Sequence, residues 1–472
     1  MDSMHKVSGQ AIPLVSVKRV RMGRRCFMGH VVKTAAASLA MPLILPSRAR
    51  GGESANGKLN IACIGLGNQI QGLMRDAASQ GQNIVALCDV DTGRIAATRQ
   101  GQGAPVEKAT AYEDYRHLLE KEKSVDAVII ATPDHWHAKI CTAAIQAGKH
   151  VYCEKPLTHT VGEARALGAL AKRSSVVTQT GNQGSASENF RRSMELIQAG
   201  VFGEIKQVHM WHPPHGWPNG VNRQPGEDPV PAGLDWNAWI GPAPMRPYKS
   251  GQYHQVNWRG WYDFGGGSLA DFCCHAFSMP VRALELDYPE KISVSGKQMG
   301  MESFPVSCQV RFQFPASGKR GPVEIFFYSG GEMPPAEVTA GLSETFGNVG
   351  GTGCILVGQK GNLSAGLWND ACYVKMEGEP KFRGADKHEA AKAIPQTLPR
   401  ASGSHVREWV DACKGGPPTF SPFVIGGHIT EIGAAGVIAL RANHEIKWNG
   451  AAMTSPGFPE ADAMVRPQSR VT

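Results

Sequence analysis

The chain has 472 residues and a formal net charge of +8 at pH 7, with 19% charged and 42% hydrophobic residues. That length is too great for one ordinary core and predicts two domains. The Lys and Arg residues of 1–50 outnumber their single acid, Asp2, by eight, so the remaining residues are neutral overall. The charge therefore gives no indication of a nucleic acid partner or an anionic membrane surface.

Residues 1–49 have the features of an export signal. Arg24-Arg25 is a twin-arginine pair, a weakly apolar stretch covers 31–45, and small residues precede a predicted cleavage site near Ala49. The apolar stretch is too short and too interrupted to be a permanent membrane anchor. We predict a twin-arginine signal and a periplasmic or otherwise exported protein, with a disordered basic tail as the alternative.

Residues 58–182 alternate short apolar runs with segments of helical length. The runs begin near Lys58, Asn83, Val125, His150 and Val176. This alternation predicts an α/β domain with a doubly wound parallel sheet, whose ligands bind at the carboxyl ends of the strands. Several of the eleven cysteines lie in these apolar runs, and their odd number without CxxC spacing predicts no disulfide framework.

A glycine turn, Gly65-Leu66-Gly67, closes the first predicted strand, and Asn68 and Gln69 open the helix that follows. Such a turn lets a pyrophosphate approach a helix N-terminus, although Ile70 replaces the third glycine of the dinucleotide fingerprint. Asp89 ends the second strand, where a carboxylate can bind a ribose 2′-hydroxyl and repels a 2′-phosphate. The two features predict NAD rather than NADP, with a plain turn residue as the alternative for Asp89.

Two later strand ends carry the segments Thr132-Pro133-Asp134-His135-Trp136-His137 and Glu154-Lys155-Pro156. An acid, an amine and a rigid proline at a strand end predict a nicotinamide enzyme with a lysine at its reaction centre. With the glycine turn and Asp89, these segments resemble the glucose–fructose oxidoreductase/inositol dehydrogenase/MocA family, and the likeness runs from about Leu59 to the C-terminus.

The resemblance implies an N-terminal Rossmann domain and a C-terminal α/β domain with an open, largely antiparallel sheet. It also implies a homo-oligomer, a dimer or tetramer formed through the outer face of that sheet. Cofactor contacts are implied for Thr132, Pro133, His137, Glu154 and Lys155. Asp134 is predicted to be a helix N-cap.

Residues 183–455 are predicted to form the second domain and 456–472 a tail. Helices within 404–442 are expected to pack back onto the first domain, as the resemblance implies. Asp271 and His275 follow a triple-glycine turn and share one face of a predicted helix. A carboxylate beside an imidazole can orient it and set its basicity.

The family resemblance implies that His275 is the general base and Asp271 a substrate ligand or orienting group. It implies that Lys155 polarises the reacting C–OH group. The structural alternative is that Asp271 caps the helix and His275 is a core residue.

Residues 211–262 form a long irregular segment with six of the ten tryptophans. Long ordered loops are usually functional, and tryptophan faces suit sugar rings, so we predict a carbohydrate cleft here. The candidate substrate residues are Trp211, His212, Trp258, Arg259 and Trp261. Contact with a neighbouring subunit is the alternative, and both roles can hold.

A histidine cluster, His209, His212 and His215, raises the question of a metal site. Pro213-Pro214 prevents the three from sharing a helix face, and no acid or cysteine is spaced to complete a ligand set. No metal is therefore predicted.

The leading prediction is hydride transfer between NAD and a secondary alcohol of a sugar, polyol or glycoside. The cofactor is expected to stay bound, because free NAD is scarce outside the cytoplasm. One alternative is an NAD-dependent glycoside hydrolase or lyase that acts through a transient 3-keto sugar. The glycosidase branch carries Tyr-Pro-Thr-His near the position of Asp271–His275, and this departure favours the dehydrogenase. The other alternative, a non-catalytic sugar-binding protein, is disfavoured by the joint presence of Lys155, Asp271 and His275.

Overall fold

The computed structural model describes residues 57–401, 403–466 and 470. The predicted export signal, residues 1–49, lies outside the described residues. One described helix, Phe423–Ala442, is long and apolar enough to cross a membrane, and 78% of its apolar window is buried inside the protein. That burial is typical of a core helix.

The first domain alternates strands and helices. Its strands are β1 (Asn60–Ile64), β2 (Asn83–Cys88), β3 (Thr110–Tyr112), β4 (Ala127–Ile130), β5 (His150–Cys153) and β6 (Thr178–Thr180). Its helices are α1 (Asn68–Ser79), α2 (Thr92–Gln102), α3 (Tyr115–Lys121), α4 (Asp134–Gln146) and α5 (Val161–Arg173), with a 3-10 turn at Ala104–Val106. The strands run parallel in the order β3-β2-β1-β4-β5-β6.

The second domain contains the remaining elements. Its strands are β7 (Ile205–His212), β8 (Lys291–Lys297), β9 (Ser307–Phe314), β10 (Val323–Ser329), β11 (Gly353–Gly358), β12 (Gly361–Ser364), β13 (Tyr373–Met376), β14 (Arg383–Gly384) and β15 (Ile446–Lys447). Its α-helices are α6 (Glu188–Gln198), α7 (Trp236–Ile240), α8 (Gly267–Ala276), α9 (Ser278–Ala283), α10 (Ala336–Thr339), α11 (Leu342–Phe346), α12 (Glu389–Lys392), α13 (His405–Cys413), α14 (Phe423–Ala442) and α15 (Pro459–Val465). Two 3-10 turns, Gln183–Ala186 and Asn257–Gly260, complete it. The helix α15 lies within the segment predicted to be a tail.

The second sheet has nine strands in the order β14-β13-β12-β11-β7-β10-β9-β8-β15. Its neighbouring strands are antiparallel except for β7 and β10, which are parallel. The fold class predicted from the sequence, a Rossmann domain followed by an α/β domain with a largely antiparallel sheet, is confirmed.

Alternation along β7 separates two groups of side chains. Val208 and Met210 belong to the large core beneath α8 and α14. Trp211 belongs to a smaller cluster with Tyr328 and Ile355 on the opposite, outer face of the sheet. Consequently, neighbouring residues of this strand have different roles.

Helices α13 and α14 join the two domains. Val406 and Trp409 of α13 pack into the core beside α1, and Phe423 of α14 packs into the core on the other face of the first sheet. Along α14, Thr430 Oγ1 accepts a hydrogen bond from Leu157 N at 3.2 Å. A Cβ atom at Gly433 would lie only 2.2 Å from the Sγ atom of Cys273 in α8. The same helix therefore contacts both the segment after β5 and the helix α8.

Candidate active site

The carboxyl ends of β1, β2 and β4 line a cavity of about 670 Å³. That volume is within the range of ligand cavities. The predicted cofactor residues that line it are Gly65, Gly67, Asn68, Gln69, Asp89, Thr132 and Pro133.

The two glycines of the turn have different reasons to be glycine. Gly65 has φ +83°, and a Cβ atom there would lie 2.5 Å from Thr132 N. A Cβ atom at Gly67 would meet no described atom within 4 Å, so this position is open toward the cavity. Gly67 is also the N-cap of α1, where no described side chain caps the helix and the first turn has no acid. Free N–H groups at a helix N-terminus suit a pyrophosphate.

Asp89 supports the glycine turn from the end of β2. Its Oδ2 atom accepts a hydrogen bond from Leu66 N at 2.6 Å, and Oδ1 accepts one from Asp91 N at 3.0 Å. Burial raises the pKa of Asp89 to about 6, against the opposing effect of these two N–H groups. The carboxylate is anionic at neutral pH and retains lone pairs for a ribose hydroxyl. The turn, the helix terminus and Asp89 together fit NAD.

The tryptophan-rich segment covers this cavity. Asp235 N donates to Val90 O and Thr92 N donates to Gly233 O, both at 2.9 Å, so the segment is hydrogen-bonded to the chain beyond β2. Trp239, His254, Trp258 and Arg259 are among the residues that it contributes to the cavity lining. The segment predicted to line a carbohydrate cleft thus encloses much of the cofactor cavity. Nothing in its own sequence indicated this contact with the cofactor site.

Lys155 and Asp271 form an ion pair between the two domains. Lys155 Nζ donates to Asp271 Oδ1 at 2.7 Å and to Asp271 O at 3.1 Å, and Arg259 Nε lies 3.9 Å from the same Oδ1. Burial lowers the pKa of Lys155, but Asp271 opposes it and the net direction is upward. Burial likewise raises the pKa of Asp271, and Lys155 and Arg259 bring it below its usual range. Both groups are therefore charged at neutral pH.

Glu154 connects this pair to the cofactor cavity. Its Oε1 atom accepts hydrogen bonds from Gln69 Nε2 at 3.2 Å and Gln183 Nε2 at 2.6 Å. Burial raises its pKa to about 7, although Lys155 and the two amides lower it. Gln183 also donates to Tyr152 Oη at 3.1 Å, so it is a supporting residue that sequence reasoning missed.

His275 lies on α8 one turn beyond Asp271 and is buried. Its Nδ1 atom has no partner among the described residues. Burial, with Lys155 nearby, lowers its pKa to about 3, so the imidazole is neutral. No hydrogen bond joins it to Asp271 in the described part of the chain, and Oδ1 of that carboxylate accepts from Lys155 instead. The predicted orienting contact is thus replaced by the ion pair.

His137 and Asp134, in the segment after β4, form hydrogen bonds with other loops of the site. His137 places Nδ1 2.7 Å from Pro156 O and Nε2 2.9 Å from Thr132 O, so it lies between the ends of β4 and β5. The predicted N-cap role of Asp134 is wrong, because Pro133 is the N-cap and Asp134 begins α4. Oδ2 of the buried Asp134 side chain accepts a hydrogen bond from Gly266 N at 3.2 Å, in the turn that leads to α8.

Two of the predicted substrate residues are core residues, which corrects those predictions. Trp211 is 1% exposed on the outer face of the second sheet, and its Nε1 donates to Gly350 O. Trp261 is 3% exposed within the aromatic core of its own segment, and its Nε1 donates to Gln252 O. Both rings are therefore inaccessible to a substrate. By contrast, Trp258 and Arg259 line the cavity.

His212 belongs to a group of neighbouring aromatic rings, partly stacked and partly edge-on, which we call the aromatic wall: His212, His215, Trp217, Phe272 and Trp368. The ring centroids of His212 lie 3.8 Å from Phe272 and 4.2 Å from His215, and His215 lies 3.8 Å from Trp217. Phe272 lies 6.1 Å from Trp368, and Lys155 Nζ lies 5.6 Å from the Phe272 centroid. The wall thus borders the ion pair.

His209 is not part of the wall. It lies on the outer face of the sheet, with Nδ1 3.1 Å from Tyr328 Oη. The three predicted cluster histidines are therefore divided by the sheet, and the described residues contain no group of three or more His, Cys, Asp or Glu placed to hold a metal ion.

Comparison with known proteins agrees with this arrangement. Residues 59–182 match the profile described as oxidoreductase family, NAD-binding Rossmann fold. Residues 205–317 match the profile of the C-terminal alpha/beta domain of the same family. Together the two matches span half of the chain.

Among curated relatives, the chain is 32% identical to an inositol 2-dehydrogenase of Salmonella paratyphi B over 28% of this chain and 38% of that protein. It is 28% identical to a glycosyl hydrolase family 109 protein of Shewanella pealeana over 37% of this chain and 43% of that protein. Each alignment thus spans less than half of the relative's own length.

Among solved structures, the chain resembles the WlbA dehydrogenase of Bordetella pertussis in complex with NADH and UDP-GlcNAcA. The TM-score is 0.57 at 14% identity, with 83% of this chain and 98% of that chain covered. At this identity the likeness concerns the fold alone. The two profile matches carry the assignment: the chain belongs to the glucose–fructose oxidoreductase/inositol dehydrogenase/MocA family and has an NAD-binding Rossmann domain.

Proposed function

We propose that this protein transfers hydride between NAD and a secondary alcohol of a sugar, polyol or glycoside. The observation that carries the proposal is the charged Lys155–Asp271 pair, which lies close to the neutral, unpaired His275. Arg259 connects the pair to the cofactor cavity, because it lines the cavity and lies near Asp271. When bound, the nicotinamide ring supplies the hydride acceptor or donor.

The residues then have complementary roles. The neutral imidazole of His275 accepts the hydroxyl proton, although burial makes it a weaker base than an exposed imidazole. The ammonium group of Lys155 stabilises the negative charge that develops on the substrate oxygen. Asp271 keeps Lys155 protonated and holds it in place through two hydrogen bonds. A charged donor in a site of low water content is worth more than the same donor in bulk water.

The substrate class is supported by the relatives and by the aromatic wall. The relatives are named as an inositol 2-dehydrogenase and a glycosyl hydrolase family 109 protein. The similar solved structure, the WlbA dehydrogenase, is a complex with NADH and UDP-GlcNAcA. The Phe272 ring of this wall lies 5.6 Å from Lys155 Nζ, where an aromatic ring suits the apolar face of the reacting sugar or polyol.

We also propose that the protein is exported through residues 1–49 with NAD already bound. The cover formed by the tryptophan-rich segment supports cofactor retention, because the cavity is lined on that side by Trp239, His254 and Trp258. Purified protein is expected to carry NAD through extensive dialysis. Recovery of cofactor-free protein after gentle dialysis would contradict this part of the proposal.

A second candidate is redox-neutral cleavage of a glycoside through a transient ketone. The match to a glycosyl hydrolase family 109 protein favours keeping it. In that reaction Lys155 and His275 would assist hydride transfer from the sugar to NAD, the aglycone would leave by elimination with a proton from the neighbouring carbon, water would take its place, and the hydride would return to the ketone.

The deciding experiment uses free sugars and polyols in parallel with p-nitrophenyl glycosides. The proposed dehydrogenase forms NADH from a free sugar or polyol without releasing nitrophenol. Nitrophenol release without net NADH would instead establish the second candidate. Binding of sugars with neither product would overturn both and indicate a non-catalytic protein.

A further inference from the structure

We infer that Trp368 forms a second sugar subsite, so that the substrate is a glycoside with a ring beyond the one that reacts. This inference rests on the proposed function and specifies its substrate class. Trp368 was not identified from the sequence, because it lies in a short loop between β12 and β13, about two hundred residues from Lys155 in the chain.

The exposure of Trp368 contrasts with that of its neighbours. Its side chain is 41% exposed, whereas Leu367 is 1% exposed and Asn369 is completely buried. Exposure of a large aromatic side chain to water costs free energy, because its surface is more stable in an apolar environment. Because Trp368 lies at the edge of the site, contact with a ligand would explain its exposure.

The loop holds Trp368 in a fixed place. Asn369 Oδ1 accepts a hydrogen bond from Met279 N at 3.1 Å, and Asn369 N donates to Gly366 O at 3.1 Å. A Cβ atom at Gly184 would lie 1.9 Å from Trp368 O, so the loop packs tightly on the turn that carries Gln183. An aromatic ring presented on such a rigid loop loses little conformational entropy when a ligand binds.

Trp368 also ends the aromatic wall next to the reacting groups. Phe272 is close to both Lys155 and Trp368, with its ring centroid 5.6 Å from the Nζ atom and 6.1 Å from the Trp368 ring. His275 lies 6.3 Å from Trp368 by ring centroids. A sugar ring at Lys155 and His275 therefore has Phe272 beside it, and a ring attached to that sugar reaches Trp368.

The wall also has unpaired polar atoms. His215 Nε2 and Trp217 Nε1 are buried and have no hydrogen-bond partner among the described residues. Buried polar atoms are usually hydrogen-bonded, and the hydroxyl groups of a carbohydrate are suitable partners. The wall therefore combines ring faces with unused nitrogen atoms, as a binding surface for an extended sugar requires.

The test compares Trp368→Ala, Trp368→Phe and the wild type on paired probes. The probes are the best p-nitrophenyl glycoside from a panel and its free sugar. For Trp368→Ala we expect KM for the glycoside to rise about tenfold with kcat nearly unchanged, and KM for the free sugar to change little. Trp368→Phe, which keeps an aromatic ring, should recover most of the loss. Phe346→Ala is the matched control, because Phe346 is also exposed but lies on α11, outside the wall.

Equal losses on both probes, or no loss on either, would overturn the subsite. If the wild type turns over neither probe, the proposed function fails, and the same variants are compared by calorimetric Kd for the glycoside. A selective rise in Kd for Trp368→Ala then still supports the subsite. Absence of glycoside binding to the wild type would overturn it.

Discussion

The cofactor cavity and the ionic cluster of Lys155, Asp271 and Arg259 lie at neighbouring strand ends but depend on different physical properties. The cavity depends on backbone shape: a glycine that no other residue can replace, a helix N-terminus and a carboxylate that accepts backbone N–H groups. The ionic cluster depends on charge, since it joins three charged side chains from separate segments. Changes of shape should therefore impair cofactor binding and folding, whereas changes of charge should impair the chemistry.

The largest effect is expected for Lys155→Met, which removes the charge and keeps the length of the side chain. We expect kcat to fall about 10³-fold, because a charged donor to the developing oxyanion is lost. The amount of cofactor bound to the purified protein, measured by chromatography of the extracted nucleotide, should change little. Lys149→Met is the matched control, since Lys149 Nζ donates to Val125 O at the opposite end of the strands. A parallel loss of bound cofactor in Lys155→Met would mean that the lysine acts through the cofactor instead.

The two glycines of the turn should separate folding from cofactor binding. Gly65→Ala combines a positive φ with a clash against Thr132 N, so we expect a loss of about 2–4 kcal/mol in the free energy of unfolding. Gly67→Ala should keep the stability but weaken NADH binding, because its new methyl group projects into the cavity. Urea unfolding of both variants, and the amount of cofactor that each retains through dialysis, check this. If both variants were as stable as the wild type, the turn would tolerate a side chain at both positions.

Asp134→Asn should reveal a buried carboxyl group that opposes folding at higher pH. Burial raises the pKa of Asp134 to about 8, so the folded protein holds a proton that the unfolded chain releases above pH 4. The stability that this proton provides is present at low pH and is lost as the pH rises through 8. Relative to Asp134→Asn, the wild type should lose about 1 kcal/mol per pH unit between pH 6 and pH 8. Parallel unfolding free energies across that range would show that Asp134 is ionised throughout.

The smallest effect, a shift in pH dependence, is expected for Asp271→Asn. Burial lowers the pKa of Lys155 and Asp271 raises it, so removing the carboxylate charge should lower that pKa. The alkaline limb of kcat/KM should then move to lower pH, in addition to any loss of rate. Asp126→Asn is the control, because Asp126 accepts a hydrogen bond from Asn60 N at the amino end of the sheet. An unchanged alkaline limb would separate Lys155 from the ionisation that limits activity.

The sequence predicted the first domain well because its signals are local. Each apolar strand and the residue that ends it are adjacent in the chain, so the positions of Gly65, Asp89 and Lys155 followed from the strand pattern. The pairing of Lys155 with Asp271 was not predicted: the family resemblance placed both residues in the site, but it implied that Asp271 binds substrate or orients His275. Helix α14 contacts both of the segments that carry this pair.

Predictions for the second domain were limited by side-chain direction. Trp211 and His212 are adjacent, yet the alternation of β7 places one in the outer cluster and the other beside Phe272. The tryptophan-rich segment has no regular period that would show which rings pack together and which line a cavity. Trp368 and Gln183 belong to short loops without a motif, so their proximity to the site depends entirely on the fold.

The central claim is that hydride passes between the substrate carbon and the nicotinamide. The most direct test supplies NAD-containing protein with a substrate that carries deuterium on the reacting carbon, followed by mass spectrometry of the extracted cofactor. We predict that deuterium appears on the nicotinamide of the wild type, and that it is absent in Lys155→Met over the same time. Product formation by the wild type without deuterium in the cofactor at any time point would contradict the proposed chemistry.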